Sequence, residues 1–359
     1  MNVAILPVSP NPYQHLLAEA LARREATTVE MLPDLPSAAW LRENRPAIDI
    51  LHYHWLYGLY MANWRTPAQA VAFLRRFRLA RALGYGIVWT AHNVLPHRAA
   101  GLWPLHVAVR RLMMASADAV IVHCEAARRE LTAQFPRTGP IAVIPHGNYA
   151  GIYPAPDRAT ARQQLGLPPD SFVYLSLGNI AAYKGLQRYI DVFQATAGAD
   201  DVALIAGRNR DAAGVRRLER LAAADARLQL SVGFVPDEQM GRYLAAADVL
   251  VAPFEHILTS GSVIAALSAG LPVIAPDLGC LPELIDDAGL IYPAGQPEGL
   301  AGARRPTGSG CAPGPRPSPP PWAGTTSPGR RRLSTAPSPR GTHEREQDRH
   351  PLVGASGPR

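Results

Sequence analysis

The sequence predicts an α/β protein made of two Rossmann-like, doubly wound domains that face each other. Three observations carry this. Short apolar runs alternate with amphipathic helical stretches, the alternation restarts after a Pro-rich junction near the middle, and the runs end in Gly, His, Asn or Ser. In the first half, strands are expected over 3–8, 48–53, 87–90, 119–122 and 141–144, with helices over 13–24, 67–83, 105–115 and 125–134. Tyr153-Pro154-Ala155-Pro156 and the loop at 166–169 form the junction. Strands then follow over 172–176, 202–206, 228–232, 249–252 and 273–275, with helices starting near Gly185 and over 213–224, 237–246, 262–269 and 282–286. Runs too short for helices, joined by helical crossovers, indicate βαβ units and parallel sheets.

This gives an N-terminal domain at 1–152, a linker at 153–170, an incomplete C-terminal domain at 171–300 and a disordered low-complexity tail at 301–359. Twelve of the 35 prolines lie from Pro306 to Pro358 among Gly, Ser and Arg, and almost no apolar periodicity remains there. Such a segment cannot bury enough surface to offset the entropy of ordering it. Its onset inside an unfinished αβ domain favours a shifted reading frame over a natural linker.

The net charge of +7 suggests nucleic acid, but its distribution argues against that partner. From Arg304 onward there are ten arginines and three acids, which leaves 26 basic and 26 acidic side chains before it. No run approaches 18 apolar residues, and the N-terminus reads as a strand and not as a signal peptide, so a cytoplasmic protein is expected. Cys124, Cys280 and Cys311 are scattered, with no ligand spacing or disulfide framework. Of 36 basic residues only Lys184 is lysine. Where arginine has displaced lysine elsewhere, a retained lysine points to a site that needs a compact ammonium, as a diphosphate does.

Open α/β sheets bind ligands beyond the carboxyl ends of their strands. In the first domain those positions hold Asn11, His52, His54, Trp55, His92, Asn93, His146 and Asn148, a neutral and aromatic set suited to sugars. In the second they hold Gly178, Asn179, Lys184, Gly207, Arg208, Phe234, Glu255, Ser260, Gly261 and Ser262, a set suited to phosphate. The start of the apolar helix at 262–269 offers free N–H groups to an anion, although Ser260 or Ser262 can also serve simply as its cap. His52 and His54 alternate along a strand end, so a shared metal is not expected. Arg75, Arg76, Arg78, Arg81, Arg110 and Arg111 offer a face to an anionic membrane surface; a solvated helix face is the alternative.

Several motifs stand in order along the chain. They are Thr90-Ala91-His92-Asn93, Ile144-Pro145-His146-Gly147, Gly178-Asn179-Ile180 with Tyr183-Lys184-Gly185, Gly233-Phe234-Val235-Pro236, and Gly270 to Pro276 with Pro282-Glu283. Together they resemble the GT-B retaining glycosyltransferases of the group 1, or family 4, type over about residues 1–295. The resemblance implies a nucleotide-diphosphate sugar as co-substrate, no metal or other cofactor, and a glycan or lipid-linked acceptor; peripheral contact with the inner membrane surface rests only on the arginine face above. It places His92 at the anomeric centre as the catalytic residue. It assigns the diphosphate to Lys184, Gly178, Asn179, Ser260, Gly261, Ser262 and Val263, and the base to Gly207, Phe234 and Val235. Asn11, Tyr13, His54 and Trp55 would meet the acceptor.

This sequence departs from the family in carrying Asn179 where many relatives have arginine, and Ile257 and Ala265 where many have two glutamates. The family ends in a helix that crosses back onto the first domain, and the tail stands in its place. A sugar-nucleotide epimerase on the same fold and a degenerate, non-catalytic sugar-nucleotide-binding protein are the alternatives. A dinucleotide oxidoreductase is disfavoured, because Ser-Pro-Asn-Pro and not a Gly-rich turn follows the first strand.

Overall fold

Two six-stranded sheets, every pairing in them parallel, carry the chain. They are seen in a computed structural model that describes residues 1–24, 26–61, 67–96, 103–296 and 299. The first sheet contains β1 (Asn2–Leu6), β2 (Thr28–Met31), β3 (Ile50–Tyr53), β4 (Gly86–Thr90), β5 (Ala119–Val122) and β6 (Ile141–Val143). The second contains β7 (Phe172–Leu177), β8 (Asp201–Gly207), β9 (Leu228–Val232), β10 (Val249–Val251), β11 (Val273–Pro276) and β12 (Gly289–Tyr292). Their spatial orders are β2-β1-β3-β4-β5-β6 and β12-β11-β10-β7-β8-β9. Both have the doubly wound form, with the chain reversing direction across the sheet beside β1 and beside β7. The expectations for the tail at 301–359 lie outside the described residues.

The central strands are mostly apolar because helices cover both faces; every residue of β8 is buried. Two of the four edge strands, β2 and β12, are absent from the sequence expectation. Each is only four residues long and half exposed: β2 alternates Thr28 and Glu30 with Val29 and Met31 over too short a span to stand out, and β12 opens on Gly289 with only three apolar residues after it. The first strand ends at Leu6 and not at the expected residue 8, since Pro7 has no N–H for the ladder. Helices Glu125–Gln134 and Asp237–Ala246 match their expected spans.

The helix after β1, Pro12–Ala22, starts where Asn11 accepts from the Tyr13 N–H, with Pro12 in the first turn. Helix Arg158–Gln164, within the stretch expected to be linker, docks on the second sheet's helix Asp237–Ala246. Arg158 and Arg162 both reach the buried carboxylate of Asp248, which also accepts from the Val173 N–H. One continuous apolar core runs from Ala4 and Leu51 in the first sheet to Val273 and Ala288 in the second, so the two sheets belong to one packed body.

Candidate active-site cleft

The residues after β1, β3, β4 and β6 meet those after β7 and β10 across a cleft of about 330 Å³. On the second-domain side, Lys184 ends a single helical turn, Ala182–Lys184. Gly185 closes it with φ 63°, and a Cβ there would lie 2.0 Å from the Pro253 carbonyl, so only glycine lets this turn sit on the exit of β10. Lys184 is buried. Its ammonium donates to the Leu177 carbonyl at 3.4 Å and lies 4.6 Å from the Phe254 ring centre. No ion pair among the described residues includes it, and burial lowers its pKa to about 8.

Beside it starts helix Gly261–Ser268. Ser260 Oγ accepts from the Val263 N–H at 3.4 Å and lies 3.1 Å from Ser262 Oγ. The cap therefore occupies the Val263 N–H that the sequence reading offers to an anion. The other amides of the first turn still carry the positive end of the helix dipole. Thr259 Oγ1, buried at the same corner, has no hydrogen-bond partner.

The first-domain wall is a stack of neutral rings. His123 Nδ1 donates to the Ile144 carbonyl at 3.0 Å, so its Nε2 is an acceptor. His92 then donates from Nδ1 to that Nε2 at 3.3 Å, and accepts at its own Nε2 from His54 Nδ1 at 3.0 Å. The order of donors is set by a single carbonyl, and it leaves His54 Nε2 buried without a partner. Burial and neighbouring imidazoles hold His54 and His92 well below the usual histidine pKa, while burial first and then His123 bring His52 to about 4 and His146 to about 3. Trp55 stacks on His92 with ring centres 4.2 Å apart.

The cleft brings together Asn11, Trp55, His92, Asn93, His146, Gly178, Asn179, Lys184, Ser260, Gly261 and Ser262. Two residues expected at the acceptor, Tyr13 and His54, do not reach it. Both are buried one layer behind, where the Tyr13 ring packs against His54, His92, His123 and His146. His52 and His54, expected to point apart, have ring centres 4.3 Å apart, because residues two apart along a strand share one face and the His54 N–H still bonds the Leu6 carbonyl of the neighbouring strand. Among the described residues no group of three or more His, Cys, Asp or Glu is arranged to hold a metal.

Gly207, Phe234 and Val235 lie farther along the second sheet. Gly207 packs on the Gly178 carbonyl with φ 154°, and a Cβ there would fall 1.4 Å from that oxygen. Phe234 is 63% exposed and has the Arg208 guanidinium 4.6 Å from its ring centre. The sequence reading misses His123, which follows β5 directly, and Phe254, three residues past the end of β10, although the strand-end rule covers both positions. It also misses the Cys124–Cys280 disulfide, which crosses between the domains over 156 residues of sequence. Scattered cysteines therefore do pair here, since β5 and the turn before helix Leu281–Ile285 end at the same place. Beside the bond, the Glu283 carboxylate accepts from the Glu125 and Ala126 N–H groups at 3.1 and 3.0 Å, at the start of helix Glu125–Gln134.

A family profile described as glycosyl transferases group 1 matches residues 171–305, and one described as glycosyltransferase family 4 matches residues 31–148. Between them they take in both walls of the cleft. The chain belongs to the group 1 glycosyltransferases. Among curated relatives of this family, it is 27% identical to a D-inositol 3-phosphate glycosyltransferase of Streptomyces bingchenggensis, over 84% of this chain and 67% of that protein. It is 26% identical to a GDP-mannose:glycolipid 4-beta-D-mannosyltransferase of Xanthomonas campestris, over 64% of this chain and 61% of that one. The chain thus spans about three fifths to two thirds of the length of these relatives. Solved structures share the GT-B fold. Anabaena HepE in complex with UDP-glucose has a TM-score of 0.64 at 18% identity, over 84% of this chain and 87% of that one. Sucrose-phosphate synthase from Thermosynechococcus elongatus has 0.63 at 20%, over 84% and 88%.

Proposed function

We propose that this chain transfers a glycosyl group from a nucleotide-diphosphate sugar to a hydroxyl of a glycan or lipid-linked acceptor, with retention at the anomeric carbon. The observation that carries the reading is Lys184. It is a buried ammonium with no anionic partner among the described residues, facing a helix start and an unpartnered Thr259 hydroxyl across one cleft. An uncompensated buried cation is costly, and a diphosphate would supply the missing charge. The family relatives named for GDP-mannose and the HepE complex with UDP-glucose support a nucleotide-sugar donor.

In this reading Lys184 and the free amides of Gly261 and Ser262 stabilise the leaving diphosphate, the main electrostatic task of the reaction. Gly178 and Asn179 let the donor approach the backbone, and the ends of β8 and β9 at Gly207, Phe234 and Val235 hold the base. His92, neutral and stacked under Trp55, lies beside the donor sugar. No Asp or Glu lines this cleft among the described residues, so no carboxylate pair is positioned for a double displacement. The acceptor hydroxyl would attack from the face the diphosphate leaves, and the departing phosphate oxygen would take its proton. The reading assigns the diphosphate charge to protein groups and not to a metal.

Peripheral membrane contact would rest on Val71, Arg75 and Arg78, which are exposed along one face of helix Pro67–Ala82. Two other arginines of the expected face are engaged elsewhere. Arg110 is buried and donates to the Val94 carbonyl and the Tyr60 hydroxyl, and Arg81 pairs with Asp118. No described helix is long and apolar enough to cross a membrane.

Calorimetry with UDP and GDP tests the reading. Lys184→Ala should weaken the preferred nucleotide by roughly 1.5–3 kcal/mol, the worth of a charge-assisted contact. Unchanged affinity would overturn it.

A further inference from the structure

A second pocket, of about 450 Å³, opens off the donor cleft and shares Asn93 and Ile257 with it. Its volume is in the range of sites that hold small organic ligands. Its lining takes apolar side chains from both domains, Val94, Leu95 and Pro96 from the first and Ile257, Leu258 and Leu278 from the second, together with the His256 imidazole. At its mouth Trp103, the first residue of helix Trp103–Ser116, is 51% exposed. From helix Glu125–Gln134, Glu130 and Gln134 enter the same pocket one turn apart. Among its described lining residues there is no lysine or arginine, and burial raises the Glu130 carboxyl pKa.

A covalent bond and two hydrogen bonds tie the two walls of the pocket together. The Cys124–Cys280 disulfide and the Glu283 carboxylate both tie the start of helix Glu125–Gln134 to the segment that follows Leu278 and Gly279. The helix wall and the second-domain wall are therefore joined next to the space they enclose.

We infer that this pocket takes the acceptor, and that the acceptor group it takes is an uncharged saccharide and not a phosphorylated sugar or polyol. The inference rests on the glycosyltransferase reading and adds a substrate class to it. A sugar ring has an apolar C–H face and a rim of hydroxyls. An exposed indole matches the first, and a carboxylate and an amide at helical spacing match the second. A phosphate entering here would meet the Glu130 carboxylate and no lysine or arginine among the described lining residues, and would give up its hydration for little return. The two spaces thus divide the charge: the donor cleft has the lysine, whereas the described lining of the acceptor pocket has the Glu130 carboxylate and no lysine or arginine. Tyr13 and His54, the acceptor residues expected from the sequence, are sealed behind the cleft, whereas Trp103, Glu130 and Gln134 line open space.

The test uses the whole chain and follows tryptophan fluorescence during titration with maltose, cellobiose and methyl α-mannoside, and with glucose 6-phosphate and inositol 1-phosphate, each with and without UDP. At least one neutral saccharide should bind saturably and more tightly than either phosphorylated probe. Trp103→Ala should weaken that binding at least tenfold while UDP affinity stays within twofold. Glu130→Lys should shift the preference toward the phosphorylated probes, and it serves as the second variant should Trp103→Ala fail to fold. Tighter binding of a phosphorylated probe to the unmodified chain, no binding of any neutral probe, or a Trp103→Ala variant that binds saccharide normally would each overturn the inference. Failure of UDP to bind would instead overturn the donor reading, because the titrations without nucleotide report on the pocket alone.

Discussion

The two walls of the cleft solve opposite electrostatic problems. The first-domain wall packs His52, His54, His92, His123 and His146 around Tyr13 and Trp55, and burial keeps the imidazoles uncharged. The second-domain wall buries a single ammonium without an anion and sets it beside a helix start and a free hydroxyl. Neutral rings that bond one another can be buried at modest cost, whereas an unpaired cation is tolerated only where a ligand repays it. The difference teaches which wall waits for charge and which one offers shape.

The bond that joins the walls should give the largest effect. Replacing Cys124 with Ser removes a link across 156 residues and should lower unfolding stability by about 2–5 kcal/mol in urea titrations of the oxidised chain. Equal midpoints for the variant and the unmodified protein would show that the two regions hold together without it.

Acid should break the first wall selectively. A histidine with a lowered folded pKa binds its proton in the unfolded chain first, so its stability contribution is present above about pH 6.5 and is lost as pH falls toward the folded value. With His146 at about 3 and His52 at about 4, lowering pH from 6.5 to 5 should cost roughly 3 kcal/mol from these two alone. A stability curve flat over that interval would mean the rings are not held neutral.

Base should act on the second wall. Lys184 loses its proton near pH 8 in the free protein, so UDP or GDP affinity should fall by up to about tenfold per pH unit above that point. Stability should move the other way between about pH 8 and 10.5, because there the unfolded chain binds the proton that folded Lys184 has lost. Lys184→Arg calorimetry sharpens this: its nucleotide affinity should be weaker than that of the unmodified chain but should not show the decline above pH 8. The smallest effect expected is that of EDTA, which should leave transfer unchanged in a radiolabelled nucleotide-sugar assay; loss of transfer would place a metal beside Lys184.

Most strands and helices were readable from the sequence because central strands of a covered parallel sheet are unbroken apolar runs, as β8 is. Two of the edge strands, β2 and β12, were not, since each is half exposed and only four residues long. Lys184, Ser260 and His92 could be found from their positions after strands or at a helix start. That rule says which end of the sheet a residue occupies but not how deep it lies, so it could not separate exposed Trp103 from buried Tyr13 and His54.

The order of α and β elements, the repeat of that order in a second domain and the lone lysine at a phosphate-suited loop are properties of neighbouring residues, and the chain determines them by itself. Tertiary structure decided the rest. It sealed Tyr13 and His54 behind the cleft, aligned the histidine donors from one carbonyl, joined Cys124 to Cys280 and opened beside Trp103 a pocket whose described lining has no lysine or arginine. The physical reason is that burial, side-chain direction and uncompensated charge depend on what packs from far along the chain, and local periodicity carries no record of that.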